Sequence, residues 1–257
     1  MAVFLRDLGA ALAAESLKLR RTLALRLAFL APLLIVWLEF LLFWQRGEKM
    51  LTAGTSMWSL FMKNNLVLWG LLMAPLFVTL QTALLADLEH RNRNWEHLLA
   101  LPLSRGAIYL SKQAMALALI ALSVPAIWVT IMVAGLGLRA LKPGIGFEAS
   151  VPVWPILKFA LLSYFCSWLI IALHTWIAIR WPSFVKAIGA GVAATVVAVV
   201  VVQSEHSLYY PWTLPAAVTR TAILDGRLHY AAMIVGSVGG AVVATLGCLD
   251  FRRRDLA

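Results

Sequence analysis

AMALALIALSVPAIWVTIMVAGLGL, residues 114–138, decides the fold. Across 25 residues it has no Asp, Glu, Lys or Arg. A hydrocarbon core requires roughly 20 apolar residues in a helix, and only a helix or a closed barrel satisfies its own backbone there. Five more runs have this character: Leu27–Trp44, Leu66–Leu85, Phe159–Ile179, Phe184–Val202 and Tyr230–Leu249. Glu39 interrupts the first, and Lys186 stands near the start of the fifth. Barrel strands would be about 10 residues long and alternating, which these runs are not. The composition agrees: 62% hydrophobic and 13% charged, against roughly 25% charged in soluble domains. The expected fold is an all-α polytopic membrane protein with six transmembrane helices in one domain, residues 1–257.

Basic residues flanking the spans set the orientation. One side, holding both termini, carries 14 Lys and Arg and the other 8, so both termini are expected in the cytoplasm. The net charge of +10 is then explained by anionic lipid head groups, and no nucleic-acid partner is expected. Cys166 and Cys248 fall inside predicted spans, with neither metal-ligand spacing nor a disulfide framework. No h-region with a cleavage site precedes the first span, so no removable signal peptide is expected.

Outside the spans, residues 1–22 alternate apolar Phe4, Leu5, Leu8, Leu12 and Leu19 with Arg6, Asp7, Glu15, Lys18 and Arg20. That pattern predicts an amphipathic helix lying in the membrane interface. On the outer side, residues 45–65 and 139–155 read as loops, and tryptophans near span ends read as interfacial anchors. Residues 203–229, with Tyr209, Tyr210, Pro211, Trp212 and Pro215, hold an apolar run too short to span. They read as an extracytoplasmic re-entrant segment.

Chemistry is mostly missing. There is no phosphate-binding G-x-x-x-x-G-K-[ST], no H-E-x-x-H, no C-x-x-C and no G-x-S-x-G. No enzymatic activity, metal or cofactor is expected in this chain. A haem between two facing histidines is disfavoured, because only His174 lies deep in a span. Glu39 and His174 are the ionisable intramembrane candidates; both stand nearer a span end than the midplane, which favours side chains reaching toward the interface. Gly236 and Gly240 form a G-x-x-x-G in the sixth span, which suits close helix packing within the chain or between chains.

One polar island, Asp87–Lys112, separates the second and third spans: DLEHRNRNWEHLLALPLSRGAIYLSK. Glu89, Arg93 and Glu96 recur at helical spacing, with Trp95, Leu98 and Leu99 on another face, Pro102 closing the segment and Ser104 as N-cap of the next helix. Tryptophan set among charges is typical of interface hot spots.

At these residues the chain resembles the permease subunits of ABC-2-type exporters, most closely the lantibiotic (antimicrobial-peptide) immunity permeases. The resemblance rests on AESLKLRRT (14–22), EHRNRNWEHLLALPLSR (89–105), YLSK (109–112), the aromatic and proline-rich outer segment, and the FRRRD tail (251–255). It implies a bacterial inner-membrane exporter whose ATP and Mg are bound by two copies of a separate ATPase, alongside a second permease copy or a related permease and membrane lipid. Residues 1–22 would be a connecting helix. Residues 87–105 would be a coupling segment, with Glu89, Trp95 and Glu96 as main ATPase contacts and Arg93 and His97 as further ones. The cargo would be an antimicrobial peptide or other amphiphile. The alternative is a non-transporting sensor or scaffold of antibiotic stress.

Overall fold

The computed structural model describes residues 2–20, 22–50, 56–91, 94–224 and 226–253. Arg93 and the tail beyond Arg253 lie outside the described residues. In chain order the helices are α1 (Ala2–Leu19), α2 (Leu23–Met50), α3 (Met57–Leu68), α4 (Ala74–His90), α5 (Asn94–Ala100), α6 (Arg105–Leu141), α7 (Val153–Cys166), α8 (Trp168–Arg180), α9 (Phe184–Val201), α10 (Leu214–Leu224) and α11 (Tyr230–Arg253). No strand occurs among the described residues.

Four single helices and the joined α3–α4 segment are long and apolar enough to cross a membrane, and the bent α7–α8 pair is a sixth candidate span when taken as one. The fourth run is therefore a broken helix, turning by 41° at Ser167. There the Ser167 hydroxyl donates back to the Ser163 carbonyl at 2.8 Å. The break is covered by α11: a Cβ added at Gly236 would stand 2.7 Å from Cys166 Cα, and one at Gly240 would stand 2.8 Å from the Trp168 carbonyl carbon. The G-x-x-x-G thus packs within the chain, against backbone.

Two outer-side expectations change. The stretch 45–65 is largely helical, because α2 continues to Met50 and the second span begins at Met57. A π-helical turn at Trp69–Met73 joins α3 to α4 and spreads the backbone just before Pro75, which has no N–H to donate. Gly70 in that turn admits α10, since a Cβ there would come within 2.9 Å of the backbone of Pro215 and Ala216. Residues 212–219 are accordingly buried, and α10 packs on α3, α7 and the π turn. Trp58 and Trp69 are core residues rather than interfacial anchors, at 2% and 4% exposure; Trp154, Trp37 and Trp181 are exposed.

Trp58 is locked by Glu148, in the loop between α6 and α7. The Glu148 carboxylate accepts the Met57 N–H at 3.1 Å and the Trp58 N–H at 3.3 Å, and its carbonyl accepts the Trp58 indole N–H at 3.1 Å. An acid from a distant loop therefore caps α3, where free N–H groups and the helix dipole favour negative charge. Burial pushes the Glu148 carboxyl up, but hydrogen bonds from Ser56, its own backbone, Trp58 and Met57 outweigh it and hold it below the ordinary 4.5. A depressed folded pKa stabilises fully above the ordinary value and loses that contribution as pH falls through the folded value. Glu148→Gln is expected to cost on the order of 1 kcal/mol at neutral pH, as a lost cap does, and to flatten the fall in thermal stability as pH drops from neutral to well below the ordinary 4.5. Melting of the purified protein across that range checks both.

Candidate functional site

Four charged side chains meet where α1, the end of α4 and the start of α6 converge. Lys112 donates to both Glu15 oxygens at 3.1 Å and to Glu89 Oε1 at 2.9 Å. Lys18 donates to Glu89 Oε1 at 2.6 Å and to Glu15 Oε1 at 3.0 Å. Two acids and two lysines balance, and each acid is shared by both lysines. Lys112 and Glu89 are each 1% exposed and Glu15 is 4% exposed. Burial opposes the charge of Lys18, yet its hydrogen bond to Glu89 and the charge of Glu15 outweigh it and raise its pKa. Lys18 therefore stays charged at neutral pH. Truncating a partner in such a cluster is costly, because it strands a buried charge.

The cluster sits on the island's tryptophan. The Lys112 ammonium lies 5.5 Å from the Trp95 ring centroid, a cation–π arrangement. The Trp95 indole N–H donates to His90 Nδ1 at 3.0 Å, so His90 carries its proton on Nε2, which meets the Ala178 carbonyl at 3.0 Å. On its other side Trp95 packs against Phe251 of α11, with ring centroids 5.5 Å apart. Small residues Ala83, Ala86, Ala178 and Ala187 make room for it.

The island residues divide accordingly. Glu89 and Trp95, expected as leading outward contacts, are turned into the chain. Glu96 and His97, on the opposite side of α5, are exposed. Arg93 lies outside the described residues.

Helix α1 is helical as expected. Its buried stripe is Asp7, Ala11, Glu15 and Leu19, while Val3, Leu5 and Leu17 are exposed. The acids face inward because α6 presents Lys112 and a free helix N-terminus. Asp7 Oδ2 accepts the Ser104 N–H at 3.1 Å. Ser104 holds the N-cap position, but its hydroxyl makes no capping bond. Asp7, Glu15, Lys18 and Lys112 are the site residues missed from sequence; their partners are up to 97 positions away.

The two intramembrane candidates are both buried. His174 Nε2 lies 3.4 Å from the Thr79 hydroxyl, and its ring meets Trp212 at 5.4 Å. Glu39 is 6% exposed and lines a cavity with Lys63 and Arg220. Neither stands near the four-charge cluster's residues in any hydrogen bond or ion pair among those described.

The class defined by these features is a multi-pass, all-α membrane protein. The family model described as ABC-2 family transporter protein matches residues 11–202, and the chain belongs to that family. No curated protein and no solved structure matches it. Membrane subunits of such transporters are permeases and are generally not themselves catalytic.

Proposed function

We propose that this chain is the permease subunit of an ABC exporter, powered by a separate ATPase and moving an antimicrobial peptide or a similar amphiphile out of the bilayer. The observation that carries the coupling part is α5: a two-turn helix with Trp95 anchored inside the bundle and Glu96 and His97 facing out. A docking helix needs this construction, since force applied to its outer face must reach the spans without the helix slipping. The Glu15–Lys18–Glu89–Lys112 cluster then ties α1 to the spans containing α4 and α6, and its Lys112 lies against the Trp95 ring of α5. The ATPase, in two copies with ATP and Mg, works against the cytoplasmic side together with a second permease chain, in the bacterial inner membrane. The ATPase can shift the transporter between states only through contacts that differ between them. The peptide cargo rests on the resemblance to lantibiotic immunity permeases.

Changing the charge at both exposed positions, Glu96→Lys with His97→Glu, is expected to cut the ATPase retained by the purified full chain about tenfold, the scale of a lost charged interface pair. Its melting temperature is expected to remain that of wild type. Undiminished ATPase retention and peptide efflux would remove α5 from the interface. Trp95→Ala is the poorer probe, because it also hollows the bundle.

A further inference from the structure

Glu39 is an acid in an apolar helix whose Oε2 is buried without a hydrogen-bond partner among the described residues. It borders a cavity of about 320 Å³ together with Lys63 and Asn64 of α3 and Arg220 of α10, with Val67 and Leu71 supplying apolar wall. No ion pair within 4.0 Å joins Glu39 to Lys63 or Arg220 among the described residues. The cavity therefore sets a buried, unpaired acid beside two cations not paired with it, Lys63 half-buried and Arg220 exposed. An ionisable group held at membrane depth without a partner is costly. A guest with a cation for Glu39 and an anion for Lys63 and Arg220 satisfies all three side chains at once.

Size and surroundings narrow the guest. The volume is at the small end of ligand pockets, about 300–1,000 Å³, and suits a head group better than a folded peptide. Beside Glu39 the outer face of α2 is apolar and exposed at Leu38, Leu41 and Leu42, a path for acyl chains. We propose that this cavity binds the zwitterionic head group of an aminophospholipid, with the ammonium on Glu39 and the phosphate on Lys63 and Arg220. The site is independent of how the transporter is powered.

The test is native mass spectrometry of the purified full chain without ATPase, titrated with phosphatidylethanolamine, its N-acetylated form, which lacks the ammonium, and phosphatidylglycerol. Wild type is expected to prefer phosphatidylethanolamine over the N-acetylated lipid by about tenfold, the scale of one desolvated charge pair. Glu39→Gln, which keeps shape and removes charge, is expected to abolish that preference. Glu39→Asp keeps the charge with a shorter reach and is expected to retain the preference at lower affinity. Lys63→Met with Arg220→Met is expected to weaken all three lipids. Equal binding of the three lipids by wild type, or an undiminished preference in Glu39→Gln, overturns the proposal. Either result leaves the ATPase-coupling reading untouched, because no ATPase takes part.

Discussion

Lys112→Met is expected to destabilise the chain by about 3–5 kcal/mol, the cost of removing one partner from a buried ion pair. Lys112 is 1% exposed and holds three carboxylate contacts, two to Glu15 and one to Glu89. Without it, both acids lean on Lys18, whose side chain is one-third exposed. Methionine fills similar volume, so a cavity explains little of the loss. A charge-matched variant separates the causes. In Lys112→Met with Glu15→Gln, one positive and one negative charge leave together and Glu89 keeps Lys18 at 2.6 Å. Most of the lost stability is expected to return, since replacing whole buried pairs with neutral groups is often close to neutral. Chemical unfolding in detergent measures both variants. If Lys112→Met melts like wild type, the cluster holds nothing together. If the charge-matched variant recovers stability but not peptide-stimulated ATP hydrolysis, the cluster also transmits force, as the proposed coupling requires.

The spans were legible because each satisfies one local condition, a run near bilayer length with at most one charged residue. Their ends were not. Helices α2 and α6 run past their apolar stretches to Met50 and Leu141, since backbone hydrogen bonding does not stop where hydrophobicity does. The island was legible as an amphipathic helix, but its polarity was misjudged. Tryptophan flanked by charge suggested an outward anchor. Trp95 instead faces inward because alanines on α4, α8 and α9 leave a seat and Lys112 rises beneath the ring. Helix α1 was legible as a helix, but the partners of its acids were not: α6 supplies a helix N-terminus to Asp7 and Lys112 to Glu15. Pairings 97 residues apart leave no local trace. A weaker signal was present, because Glu15, Lys18, Glu89 and Lys112 all stand beside apolar runs and balance in charge.

Replacing both Gly236 and Gly240 with alanine is expected to destabilise the chain by about 1–3 kcal/mol per site, the range for overpacking a close-packed contact. Each new methyl would meet backbone: Cys166 Cα at 2.7 Å and the Trp168 carbonyl carbon at 2.8 Å. Backbone cannot rotate away as a side-chain tip can, so α11 must lift from the bend at Ser167 or the bend must straighten. Both routes disturb the extensive α8–α11 pairing and loosen Phe251, which buttresses Trp95 and Tyr109 from the same helix. Gly239, one position away, is the control: a Cβ there would meet only Leu169 methyls at 3.6 Å, and Gly239→Ala is expected to be neutral or slightly stabilising, as alanine favours helix. The same motif serving between chains predicts a different pattern. The double variant would then keep wild-type melting and shift from dimer to monomer in size-exclusion light scattering. Reduced melting with an unchanged oligomeric state assigns the two glycines to the bend of the fourth span.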